Sequence, residues 1–192
     1  AIAWYYLLNG GQMSTLTGGS YIKMRDPPKD LYIITTARKR DTKEWECELI
    51  PFLLAIDKTN FYSNKVVVDS WNNIKKYTNV SDAVFIFDEQ RVVGYGEWTH
   101  AFLDITKKNQ WILLSATPGD TWSDYIPVFI ANGFYRNKTQ FNADHVIFKP
   151  YSKFPQIDHY INVQRLIRLR NRILVDMDFI RDTVRNNIDI FC

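Results

Sequence analysis

The chain has 192 residues, 46% of them hydrophobic and 23% charged, with a net charge of +3. This ordinary globular balance gives enough chain for one domain with a full core. No apolar stretch reaches the ~20 residues that a membrane span needs, so we expect no membrane partner. Two cysteines, Cys47 and Cys192, are too few for a disulfide framework and favour a reducing compartment, which predicts a cytoplasmic protein.

The first half of the chain predicts alternating helices and strands. Gly10 and Gly11 end an apolar run that predicts a buried helix, and β-branched and aromatic residues indicate the strands. Asp41 or Thr42 is the expected cap of the second helix. The predicted elements are a helix over residues 1–8, a strand over 31–36, a helix from 41–44 onward, a strand over 65–69 and a helix over 70–77.

The second half continues the alternation. Gly133 is the expected end of one helix, and two prolines make residues 149–156 a loop. The predicted elements are strands over residues 83–88, 111–115, 145–148 and 172–177, and helices over 99–107, 121–132 and 157–170. Strands that alternate with helices predict an α/β fold, with a mainly parallel central sheet and helices on both faces.

Two carboxylates follow a strongly apolar strand. Residues 84–87 (VFIF) lead directly into Asp88 and Glu89. The carboxyl edge of an open parallel sheet is where such folds bind ligands. One carboxylate there can hold Mg²⁺ while its neighbour orients a water against a phosphate. The alternative is a strand that simply ends in two acids on a solvated turn.

A second motif strengthens the functional interpretation. The apolar residues 111–114 (WILL) end in Ser115, Ala116 and Thr117. Together with the acidic pair, this resembles motifs III and II of the superfamily 2 (DEAD/DEAH-like) helicases, whose first domain is a RecA-like three-layer fold. The resemblance implies that Asp88 holds Mg²⁺, that Glu89 activates water, and that Ser115 and Thr117 couple nucleotide state to a second domain.

The resemblance also implies a nucleic-acid contact. Residues 35–40 (TTARKR) resemble motif Ia, whose members Thr35, Thr36, Arg38 and Lys39 would then touch a phosphate backbone. Ser70 occupies the place of motif Ib, where the match is weak and a plain strand end is the alternative. A solvated basic loop is the alternative for residues 35–40.

The phosphate loop of such motors is missing from the sequence. No glycine in the chain is followed by lysine, so residues 10–15 are not a phosphate loop. The helix over 1–8 resembles the one that follows Gly-Lys-Thr, which predicts that the chain starts just after the Walker A motif. We therefore expect a motor domain over 1–150, and over 151–192 an extension that leads toward a second RecA-like domain.

The amino-acid sequence of residues 33–45 and 115–141 most resembles the helicases of tailed phages. This implies an ATP-dependent helicase or translocase of phage DNA replication or recombination, acting in the host cytoplasm. Its cofactors would be ATP and Mg²⁺. Its partners would be single-stranded or duplex DNA and phage replication proteins. The chain alone is expected to be inactive. The alternatives are a non-catalytic nucleic-acid-binding or regulatory module derived from a helicase domain, and a terminase-type ATPase domain.

Overall fold

The computed structural model of the chain describes residues 1–13, 21–25, 27–56, 60–89, 92, 96–115 and 119–175. The α-helices are α1 (Ile2–Leu8), α2 (Ala37–Asp41), α3 (Glu44–Leu49), α4 (Glu97–Thr106), α5 (Ile126–Ala131), α6 (Lys138–His145) and α7 (Val163–Ile173). The strands are β1 (Gln12–Met13), β2 (Tyr21–Ile22), β3 (Leu31–Thr35), β4 (Val66–Ser70), β5 (Val84–Asp88), β6 (Gln110–Leu114), β7 (Val146–Phe148) and β8 (Ile157–Tyr160). Short 3-10 helices cover Ile50–Phe52, Trp71–Tyr77 and Trp122–Tyr125.

Four parallel strands form the central sheet in the order β4-β3-β5-β6. Every residue of the two inner strands, β3 and β5, is buried, which explains why both read as continuous apolar runs. Thr35 lies opposite Ser70, and Asp88 lies opposite Leu114. The strands therefore end level at their carboxyl edge. The fold is the expected α/β type, with the parallel central sheet of a RecA-like three-layer domain.

Helices cover both faces of this sheet. Successive strand residues point to opposite faces, so Ile33 packs on one side and Ile34 on the other. One layer contains α1 and α3, whose Tyr5, Tyr6 and Leu49 join the core with Ile33. The opposite layer contains the 3-10 helix Trp71–Tyr77 and α4. Both apolar faces of the sheet are thereby removed from water, which supplies the main driving force for this arrangement.

A third hydrophobic cluster lies in the second half of the chain. Phe129 of α5 and Phe141 of α6 pack with Leu166 of α7. Strands β7 and β8 form an antiparallel hairpin beside them. This cluster joins residues on both sides of position 150, where the sequence predicts a domain boundary, and that boundary stays a prediction.

Most predicted elements are present with small shifts at their ends, and three predictions are wrong. The helix expected over 157–170 begins only at Val163, because residues Ile157–Tyr160 pair with β7 instead. Arg172 and Ile173 end α7 rather than start a strand, and residues from 176 onward lie outside the described part. Neither Asp41 nor Thr42 caps α3, whose N-cap is Lys43.

Among the described residues, the longest helices remain too short or too polar to cross a bilayer.

Candidate functional site

The predicted site residues that belong to the described part of the chain lie at or near the carboxyl edge of the sheet. β3 brings Thr35, β4 brings Ser70 and β5 brings Asp88 to one level, and Ser115 directly follows β6. Four parallel strands that end together produce this convergence from residues far apart in sequence. Thr117, predicted to share the coupling role of Ser115, lies outside the described residues.

Asp88 is held firmly at the end of β5. It is only 6% exposed. Its Oδ2 accepts hydrogen bonds from Thr35 Oγ1 at 2.7 Å and from Lys39 Nζ at 2.9 Å. Its backbone carbonyl accepts a third, from Trp71 Nε1 at 2.9 Å. Contacts from β3, α2 and the 3-10 helix Trp71–Tyr77 therefore fix the position of this residue, and its other carboxylate oxygen, Oδ1, takes part in none of the three.

Lys39 joins the two members of the acidic pair. Its Nζ lies 2.9 Å from Asp88 Oδ2 and 3.0 Å from Glu89 Oε1. Burial alone lowers the pKa of Lys39, but the hydrogen bonds to Asp88 and Glu89 outweigh it and raise this pKa above its ordinary value. Lys39 is thus a stable cation, positioned by α2, whose N-cap Thr36 accepts from the Lys39 backbone N–H at 3.3 Å.

Glu89, the residue that follows β5, has an unusual backbone conformation. Its φ of 55° lies in the left-handed region, which is uncommon for a residue with a side chain. The side chain is 42% exposed, so its carboxylate is far more open to solvent than that of Asp88. The sharp turn after β5 therefore presents one shielded and one open carboxylate at the same strand end. Such strain, of about 1–3 kcal/mol, is typical of functional sites.

A cavity of about 300 Å³ opens beside Asp88. It lies between the sheet edge and the layer that contains α1 and α3. Its volume is at the lower end of the range for small-molecule sites, which is roughly 300–1,000 Å³. Its walls are formed by Ala1, Ile2, Lys39, Glu44, Trp45, Glu48, Asp88 and Leu114.

The residues predicted to touch nucleic acid fall into two groups. Thr35 and Ser70 are 0% and 2% exposed, and their hydroxyls serve the protein itself. Thr35 donates to Asp88, and Ser70 Oγ accepts from Arg40 Nη1 at 3.2 Å. Arg38 is exposed, and Thr36 and Lys39 are partly exposed. Only the second group can meet a phosphate backbone without rearrangement of the strand ends.

A further buried carboxylate beside the site, Asp69, was not among the predicted site residues. Asp69 in β4 is 9% exposed and accepts from Asn73 Nδ2 at 2.8 Å and Tyr77 OH at 2.7 Å. The Ser70 backbone N–H at 2.7 Å and Arg40 Nη1 at 3.3 Å also donate to it. The available signal was an aspartate at the end of an apolar strand, the same pattern that singled out Asp88.

No cluster of three or more His, Cys, Asp or Glu side chains that could hold a metal by itself occurs in the described part of the chain. Comparison with protein-family models, with curated proteins and with solved structures finds no match to this chain.

Proposed function

We propose that this chain is the first motor domain of an ATP-dependent nucleic-acid helicase or translocase. The observation that carries the proposal is the acidic pair at the end of a buried central strand. Asp88 lines a cavity of about 300 Å³, and one ammonium group lies within 3.0 Å of both the Asp88 and the Glu89 carboxylate. Nucleotide hydrolysis requires one group that holds the metal ion and another that orients the attacking water. The shielded carboxylate beside the cavity suits the first role, and the open one suits the second.

The carboxylates are suited to Mg²⁺, which prefers oxygen ligands and takes one or two carboxylates in nucleotide sites. Lys39 Nζ demonstrates that the oxygens of Asp88 and Glu89 can face a single cation at 2.9 and 3.0 Å. Asp88 would hold the ion, since two hydrogen bonds already orient its carboxylate. Bound Mg²⁺ would neutralise charge on the nucleotide phosphates.

Glu89 would accept hydrogen bonds from the attacking water through its open carboxylate. Ser115 would report the state of the site, because it follows β6 directly after the residue that pairs with Asp88. Lys39 connects this chemistry to the nucleic-acid side, because it belongs to the same short helix as the exposed Arg38. A phosphate drawn to α2 would compete with the two carboxylates for the Lys39 ammonium.

The proposal extends to the nucleic acid and the partner proteins. DNA is the proposed polymer, and a second RecA-like domain and phage replication proteins are the proposed partners. The placement in phage replication or recombination rests on the resemblance of residues 33–45 and 115–141 alone.

One observation favours a second candidate, a non-catalytic nucleic-acid-binding or regulatory module. Lys39 pairs with both acidic groups from within the chain and offsets one of their two negative charges. An acidic pair that shares an internal cation depends less on a metal ion for its stability. In this version Arg38 and Lys39 bind nucleic acid and the acids only position Lys39.

The test is ATP hydrolysis, with and without single-stranded DNA, by the product of the complete reading frame that contains this chain. Glu89→Gln is expected to lower DNA-stimulated turnover by about 10²–10⁴-fold, the usual contribution of a general base. Glu48→Gln, which changes a glutamate of the cavity wall beside Asp88, is the matched control and keeps wild-type turnover. The 192-residue chain alone should show negligible turnover. Turnover that survives Glu89→Gln would refute the motor proposal, and DNA binding without any turnover would favour the second candidate.

A further inference from the structure

The loop between β7 and β8 displays two aromatic rings to solvent. Tyr151 is fully exposed and Phe154 is 69% exposed. Large aromatic side chains normally gain their stabilising energy from burial, so two open rings within four residues need an explanation. Neither side chain belongs to the hydrophobic clusters that hold the described part of the chain together.

The same loop is basic. Lys149 and Lys153 are exposed, and residues 146–157 contain no acidic residue. Lys153 Nζ lies 5.9 Å from the centroid of the Phe154 ring. Cations interleaved with open rings suit a partner that offers both negative charge and flat π-faces.

The loop is also stiff, which keeps the rings exposed. Pro150 and Pro155 restrict its backbone, and the Lys149 N–H donates to the Gln156 carbonyl at 2.9 Å to close the hairpin. Ser152 Oγ donates to the Phe154 carbonyl. Tyr151 has a φ of 64°, in the left-handed region that bulky residues seldom adopt. A rigid display of this kind reduces the ordering cost that a binding partner would otherwise impose.

Helix α7, which follows the hairpin in the chain, is also basic. It begins three residues after β8 and carries four arginines and no acidic residue. Arg165, Arg168 and Arg172 are exposed. Residues 146–175 together hold six basic residues and one acidic residue, in a chain whose total net charge is only +3. Positive charge is thus concentrated on the hairpin and the helix that follows it.

We propose that the β7–β8 hairpin tip is a base-stacking surface for single-stranded nucleic acid, with Tyr151 and Phe154 as the platform, and with the lysines of the loop and the arginines of α7 as phosphate contacts. A single strand exposes base faces and phosphates together, whereas a duplex hides its base faces. This inference goes beyond the motor proposal, since it requires neither nucleotide nor the acidic pair. A protein partner would fit the rings but gives no reason for the exclusively basic charge of the loop.

The experiment measures fluorescence anisotropy of labelled oligothymidylate and of an abasic oligodeoxynucleotide of equal length, without nucleotide. The wild-type chain should bind oligothymidylate more tightly, because only that strand has bases to stack. The double variant Tyr151→Ala/Phe154→Ala should lose at least about tenfold in affinity for oligothymidylate, and little for the abasic strand. Arg168→Gln should instead weaken both strands alike and reduce the salt dependence of binding.

Two variants control for ring chemistry and for folding. Tyr151→Phe/Phe154→Tyr retains both rings and should retain the preference for bases. Phe61→Ala removes a ring elsewhere that is 55% exposed and lies 4.5 Å from Lys23 Nζ, and it should change nothing. Equal wild-type affinity for the two strands would overturn the inference. An alanine double variant that binds oligothymidylate like the wild type would also overturn it, and would assign the exposed rings to a protein contact.

Discussion

Two buried aspartates lie in the last two residues of strands of the same sheet and differ in what surrounds them. Asp69 in β4 accepts hydrogen bonds on both carboxylate oxygens, from Arg40, Asn73, Tyr77 and the Ser70 backbone. Among the described residues, side-chain donors reach Asp88 in β5 at one oxygen only, Oδ2, and Asp88 lines a cavity. A similar sequence pattern has therefore produced one saturated carboxylate and one that retains ligand capacity.

The difference separates a structural role from a functional one. A carboxylate whose oxygens are fully occupied stabilises the protein and has little left for a metal ion or a substrate. Asp69 fixes the end of β4 against the 3-10 helix Trp71–Tyr77 and against Arg40 of α2. Asp88 is oriented by fewer groups and stays accessible to a ligand through the cavity. The number of donors, rather than burial, distinguishes the two sites.

The largest expected effect is the loss of stability on Asp69→Asn. The substitution removes the charge that several donors share and places an amide N–H among them, at a cost of about 2–4 kcal/mol. Asp88→Asn should cost no more than about 1 kcal/mol, because Glu89 still pairs with Lys39 and Thr35 can donate to the amide oxygen. Urea unfolding followed by circular dichroism gives both values. Equal losses in the two variants would contradict the distinction between them.

The role of Asp69 should also appear, as a smaller effect, in the dependence of the unfolding free energy on acid pH. Burial alone raises the pKa of Asp69, but the surrounding hydrogen bonds outweigh it and hold this pKa below its ordinary value. A lowered pKa in the folded state contributes stability above the unfolded value of about 3.9, and this contribution disappears as pH falls through the folded value. Wild-type unfolding free energy should therefore fall below about pH 4, and less steeply in Asp69→Asn. Parallel acid profiles for the two proteins would show that Asp69 does not carry this linkage.

The fold and the meeting point of the site follow from local sequence. Strands β3 and β5 are apolar on both faces because both faces are covered, and that pattern is visible in one dimension. Parallel strands then place the residues after each run at one edge, and there Thr35 donates a hydrogen bond to Asp88. The order of the strands was not readable, since it depends on packing between segments far apart in the chain.

The contacts within the site could not be predicted for the same reason. Lys39 reaches Asp88 across 49 positions in the chain, and no local pattern encodes that distance. The burial of Thr35 and Ser70 depends on neighbouring strands and helices in the same way. Residues 157–170 show apolar spacing suited to a helix, yet pairing with β7 satisfies the backbone of their first part instead. In each case a tertiary contact outweighs the local pattern.

The smallest expected effect concerns Asp88 and the cation beside it, Lys39. Lys39→Met keeps an unbranched side chain of nearly the same length and removes the ammonium that lies between Asp88 and Glu89, which should lower stability at pH 7 by about 1 kcal/mol. The uncompensated carboxylates should then attract a divalent cation. At roughly ten times its dissociation constant, Mg²⁺ would restore about 1.4 kcal/mol.

Thermal unfolding in MgCl₂ and in NaCl of matched ionic strength measures this recovery. Lys43→Met is the matched control, because it removes a lysine whose pairing with Glu46 at 3.5 Å is on the surface. Its stability should change by less than about 0.5 kcal/mol, without any specific response to Mg²⁺. An Mg²⁺ response of the same size in Lys39→Met and in the wild type would mean that Lys39 does not compete with the ion. No specific Mg²⁺ response in Lys39→Met would mean instead that Asp88 resembles Asp69, as a carboxylate that only stabilises the fold.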